Sequence, residues 1–231
     1  MGLDFYVGTL SRYHSREWQT ELQRDWGAHT VYIGLKPGEK PPDLDLASRV
    51  VEAWRRAMGK SLRLRLDWSE SPDQPYFTEQ ALWPCFHALR LWAACDDQGV
   101  PPAAAASTPP ADWDKHPALK RYQNDQVRTR YSQLLLWVYV WLPLKQPVSV
   151  FEAESPGGAR MRYGNVRELL EQLKLLNRRT WRFPDGPEEE VRKNAVKESS
   201  DLDGCARHAW LQMRRFAELA VKLSLPMVLD Y

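Results

Sequence analysis

Nine consecutive apolar residues, Leu134 to Leu142 (LLLWVYVWL), constrain the fold more than any other stretch of the chain. At period two, Leu134, Leu136, Val138, Val140 and Leu142 fall on one side, and Leu135, Trp137, Tyr139 and Trp141 on the other. The run is far shorter than the roughly 20 residues a membrane helix needs. Its residues are leucine, β-branched and aromatic, and Pro143 stops it, so it reads as a strand. A strand apolar on both faces belongs inside a sheet covered on each side. The alternative leaves its aromatic face open in a groove, where Trp and Tyr bury much area with few rotors and keep a polar tip.

Other segments supply elements that could pack around such a strand. Leu3 to Leu10 alternates as a first strand, and Gly8 within it marks a bulge or a close approach of another backbone. Ser15 is placed to cap a short helix carrying Trp18 and Leu22, which Gly27 ends. Thr30 to Leu35 is a second strand candidate, and the prolines and glycine of 36–43 mark a loop. Asp45 can cap a helix on which Leu46, Val50, Trp54 and Met58 recur every four residues up to Gly59. Leu62, Leu64 and Leu66 alternate with charges as a half-wet edge strand. From Thr78 an amphipathic helix is expected, with Leu82, Cys85, Phe86, Leu89, Trp92 and Ala93 as its stripe.

Residues 96–117 carry five prolines and a run of alanines, which predicts a linker or surface excursion that builds no core. After the apolar run, 148–154 and 159–163 flank SPGG as a hairpin, with Gly157 and Gly158 at positive φ. With 134–142 they are expected to form a three-stranded antiparallel meander. Asn165 and Glu168 mark the start of a helix with Val166, Leu169, Leu170, Leu173 and Leu176 inside. Residues 184–204 are polar. A last helix runs from about Cys205 to Ser224, and Pro226 precedes a short final segment. The expected fold is α+β: a mainly antiparallel sheet of five or six strands with about four packed helices. The whole of 1–231 reads as a single domain with a Pro/Ala-rich excursion at 96–117.

Composition narrows the function classes. With 32 Lys and Arg against 30 Asp and Glu, the net charge of +2 favours no polyanion and no anionic surface. Three cysteines without CxxC spacing fit a reducing compartment. The N-terminus shows no basic region leading into a long apolar one. A cytoplasmic protein without a membrane segment is expected, and no cofactor is implied. Nucleotide-loop, nucleophile-elbow and zinc-protease motifs are missing.

Four groups carry chemistry. Asp4, Tyr6, Arg12 and His14 put an acid, a base and hydrogen-bonding groups at the end of the first strand. They are the candidate site of an enzyme in which Asp4 and His14 exchange protons, although Asp4 could instead pair with Arg12. Between Arg160 and Arg182 the local charge is +5. Arg178, Arg179 and Trp181 there suit phosphate and base stacking, or an acidic protein partner. Trp18, Trp113 and Trp181 are candidate exposed anchors of a protein interface. Asp201, Asp203, Cys205 and His208 could be read as a metal or nucleophile set, yet carboxylates at a helix start are ordinary, so no metal site is expected.

The opening Met1-Gly2-Leu3-Asp4, Tyr6, Gly8-Thr9-Leu10 and Arg12-Tyr13, followed by Trp18, resembles a family of uncharacterised bacterial proteins. The closing Leu225-Pro226-Met227 and Leu229-Asp230-Tyr231 shares the likeness. In type, such a chain resembles immunity proteins encoded beside secreted bacterial toxins. The resemblance implies a protein-interaction role, binding and blocking a cognate toxin. A small-molecule enzyme built on the N-terminal strand and nucleic-acid binding through 160–182 are the alternatives.

Overall fold

The computed structural model describes residues 3–20, 43–105, 107–123, 127–184 and 201–230. The chain is α+β, with a mixed, mostly antiparallel six-stranded sheet. The strands are β1 (Leu3–Val7), β2 (Phe77–Ala81), β3 (Val140–Leu142), β4 (Phe151–Glu154), β5 (Arg160–Asn165) and β6 (Met227–Asp230). Their order across the sheet is β2-β1-β6-β3-β5-β4. The helices among the described residues are α1 (Leu10–Ser15), α2 (Leu44–Leu62), α3 (Trp83–Gln98), α4 (Pro117–Lys120), α5 (Ser132–Leu135), α6 (Val166–Arg179) and α7 (Leu202–Leu223). No described helix is long and apolar enough to cross a membrane.

The sheet separates two apolar layers. Leu3, Phe5 and Val7 of β1, Met227 and Leu229 of β6, and Trp141 of β3 face α3, α6 and α7. Alternate residues on the same strands, Tyr6, Val228, Val140 and Leu142, face α1, α2, Trp18 and Trp68. α3 is apolar nearly all round and accordingly buried on most sides. The 96–117 segment covers it. α3 runs on to Gln98, and Ala105 and Trp113 lie in the first layer, with the Trp113 Nε1–H donating to the Thr108 carbonyl at 2.9 Å. The expectation that this stretch builds no core is corrected: its prolines start two short 3₁₀ turns that carry those apolar groups inward.

The nine-residue run does not form one strand. Leu134 and Leu135 belong to α5, Leu136 ends it, and Trp137 turns in the left-handed region at φ 55°. Only Val140–Leu142 is strand, inside the sheet as expected. The meander is also corrected. β4 and β5 do form the antiparallel hairpin, but β5 inserts beside β3 and runs parallel to it, with Trp141 opposite Gly164. β4 takes the edge. In the hairpin turn only Gly158 has positive φ, 80°.

Further boundaries move for local reasons. Thr9 caps α1, and Ser15 is its last residue rather than a cap. Glu70, distant in sequence, accepts from the Leu10 and Ser11 N–H groups at 3.2 and 2.8 Å. Asp43 caps α2, which passes Gly59 and ends at Leu62, so the 62–66 alternation is a helix end followed by coil rather than a strand. Residues 77–81 are β2, and the next helix starts beyond them because Pro84 fits its first turn. Asn165 caps α6 as expected, accepting from the Arg167 N–H at 3.0 Å. The strand expected at 30–35 and the helix end at 21–27 lie outside the described residues.

Candidate functional site

Three helix ends meet on the first layer of the sheet. Gly99, at φ 68°, ends α3, and its N–H and that of Val100 satisfy the last carbonyls of the helix. Beside it, α6 ends at Arg179, and the Asn177 side chain grips Phe183 through both backbone groups at 2.9 Å, folding Trp181 back over the helix. α7 begins with Asp201 as its cap, which places Asp203 and Arg207 on its first turns. Between them opens a cleft of about 650 Å³, lined by residues that include Trp92, Asp96, Val100, Arg179, Trp181 and Arg207.

The walls of the cleft are aromatic, and its carboxylates are each engaged by an arginine. Trp92 and Trp181 stack with centroids 5.5 Å apart, and Trp181 meets Trp210 edge-on at 5.8 Å. The Trp181 Nε1–H donates to Asp203 at 2.9 Å, and Asp203 also holds Arg207. Asp96 accepts from Arg179 Nε at 2.7 Å and from the Tyr131 hydroxyl at 2.6 Å. The bond from Asp96 raises the Arg179 guanidinium above its ordinary range, while burial, with the Asp96 hydrogen bond second, lifts the Tyr131 phenol beyond reach of neutral pH. Trp92 Nε1–H is buried and unpartnered.

Of the expected interface residues, the cleft gathers Arg179 and Trp181; Arg178, the neighbour of Arg179, is exposed. Trp113 and Trp18 are not exposed anchors: their exposures are 2% and 7%. Each is drawn in by a backbone carbonyl that takes its indole N–H, Thr108 for Trp113 and Tyr13 for Trp18. Trp92 and Asp96 escaped the sequence reading because one counted as helix stripe and the other as the start of a linker. The Asp201–His208 set separates into a cap, an ion pair and a thiol: Asp201 accepts from the Gly204 N–H, Asp203 holds Arg207, and Cys205 lies against Cys85. Among the described residues no three His, Cys, Asp or Glu side chains are gathered as a metal would need.

On the other face of the sheet, β1 and β6 set Asp4 directly opposite Asp230. Asp230 accepts from the Tyr13 hydroxyl and pairs with Arg16 at 3.3 Å. Burial, and then the Asp230 charge, raise Asp4 to about 6. Tyr6 is fully buried and donates to the Thr9 carbonyl at 2.9 Å. Arg12 donates to the carbonyls of Gln74 and Pro72 and lies over Tyr76. Burial, with Arg16 nearby, lowers His14 to about 4, so it is neutral and uncharged near pH 7. The group that faces Asp4 across the strands is Asp230, a residue outside the expected set. Asp230 was legible only as the last period-two position of the closing segment.

Compared with known proteins, the chain matches no family model, no curated protein and no solved structure.

Proposed function

We propose that this chain is a protein-interaction module, of the immunity type, that binds and blocks a cognate toxin through the Trp92–Trp181 cleft. The observation that carries the reading is the composition of that cleft. Stacked indoles and arginine are the side chains enriched at binding hot spots. Both of its carboxylates are engaged by arginine, which suits recognition better than proton transfer. The experiment retrieves partners with tagged full-length protein from its native cell, and repeats it with Arg179→Glu, a substitution at an exposed position. A one-to-one partner that arrests growth when expressed alone, is relieved by the wild-type chain and is not relieved by the variant, supports the reading. Relief that is unaffected by Arg179→Glu overturns the cleft as the binding surface.

A second reading is favoured by the Asp4–Asp230 pair. A carboxyl titrating near 6 directly opposite a second carboxyl that accepts from Tyr13 and pairs with Arg16 puts two acidic groups in unlike environments, as an acid–base pair requires. Turnover of any member of a hydrolase substrate panel that disappears in Asp4→Asn, in a variant of unchanged melting temperature, would promote this reading. Equal turnover in both proteins excludes it.

A further inference from the structure

α2 carries two apolar stripes, and the fold uses only one. Ala47, Val51 and Met58 are buried, Val51 and Met58 in the second layer of the sheet. Leu46, Val50, Ala53 and Ala57 recur at intervals of four, three and four, which places them on a single line along the helix. At about 100° per residue this line lies well over a quarter-turn from the buried stripe. All four are exposed, and Leu46 and Val50 at 44% and 39% are half of the large exposed hydrophobics among the described residues. That spacing is the one a helix uses when it docks against another helix.

The charge beside the stripe says what kind of helix. Arg49, Arg56 and Lys60 on its flank and Arg63 at the cap just past the helix end are the four basic groups there; all are exposed, with one exposed carboxylate, Asp45, in the same row. Among the described residues none of the four makes an ion pair, whereas Arg55 on the same helix is held by Glu52 at 2.7 Å. A polyanion would engage the basic row and leave the apolar stripe wet, so nucleic acid explains only half of the surface. A second copy packed antiparallel would oppose one basic row to another. The geometry points to α2 as a docking surface for an acidic amphipathic helix of a partner protein, apolar on its contact face and rich in Asp and Glu on the facing flank. This surface lies on the opposite face of the sheet from the Trp92–Trp181 cleft and goes beyond the reading above.

The test uses the full-length chain and a labelled synthetic helical peptide with leucines at the four-three spacing and glutamates on one flank, followed by fluorescence anisotropy. The expected result is saturable binding that weakens about tenfold in Val50→Asp, and about tenfold in Arg56→Glu/Lys60→Glu. A peptide with lysine in place of glutamate restores binding to the charge-reversed variant and so controls for folding. Binding at about 1 mM that is absent, or equal for a scrambled peptide, overturns the proposal. So does full competition by a single-stranded oligonucleotide with no effect of Val50→Asp, or self-association in gel filtration that Val50→Asp abolishes. Failure here leaves the cleft reading intact, since partner capture lost in Arg179→Glu and kept in Val50→Asp belongs to the cleft alone.

Discussion

The guanidinium of Arg90 lies over the ring of Trp137, 3.7 Å from its centroid, while it donates to the carbonyls of Leu134 and Leu135 at 3.1 Å each. Arg90 is 1% exposed, and among the described residues its hydrogen bonds go to these two carbonyls and to no carboxylate. It acts as the C-terminal cap of α5 and as the plate on which the left-handed turn at Trp137 rests. Arg90→Lys removes the fork that reaches two carbonyls at once. The expected cost is about 2 kcal/mol, since each carbonyl left bare in the interior loses its desolvation offset. Urea denaturation checks it, together with a red shift of tryptophan fluorescence as Trp137 loosens.

Gly164 is required by its neighbours rather than by its own conformation. A Cβ there would overlap the Gln133 side-chain oxygen, which accepts from the Asn165 N–H at 3.1 Å, and would press on Trp141. Gln133 is itself buried and takes the Trp141 indole N–H on its carbonyl. Gly164→Ala is expected to lose about 1–3 kcal/mol, the range for overpacking a filled interior. The melting temperature should fall by roughly 2–4 °C for each kcal/mol.

Two groups on the second face make stability depend on pH in opposite directions. His14 titrates near 4 in the folded chain against 6.5 ordinarily, so its contribution is full above pH 6.5 and is lost as pH falls toward 4. Asp4 titrates near 6 against 3.8, so its contribution is full below pH 3.8 and is lost as pH rises through 6. Asp4→Asn should therefore raise the melting temperature relative to wild type at pH 7 and change it little at pH 4. His14→Phe should flatten the fall between pH 6.5 and 4. Melting curves at half-unit pH steps read both.

The thiols should differ in reactivity. Cys85 and Cys95 are buried, and burial raises both thiols, Cys85 to about 12 with Cys205 adding to the shift. Cys205 is partly exposed. A thiol reagent at neutral pH is expected to modify Cys205 in the native protein and all three only after denaturation. Mass spectrometry counts the adducts, and rapid native labelling of Cys85 would contradict the packing of α3 against α7.

Local chemistry written in the chain survived into the fold wherever one residue answers to its immediate neighbours. Asn165 caps α6 because its side chain reaches an N–H two residues on, and Pro226 separates α7 from β6 because it cannot continue a helix. The α+β class followed from the spacing of apolar residues, which does not depend on where the elements meet. What the tertiary structure decided are the outcomes that distant groups impose. The run 134–142 had the period of a strand throughout, yet Arg90, more than forty residues earlier, claims two of its carbonyls and breaks it into helix, turn and a three-residue strand. Trp18 and Trp113 had the composition of exposed anchors, yet nearby carbonyls and the packing around them take them inside. The cleft is the same case. Trp92, Asp96, Arg179 and Asp203 sit on three helices, and the free energy of burying their aromatic neighbours is what brings those helix ends together, a sum over contacts that no local window of sequence contains.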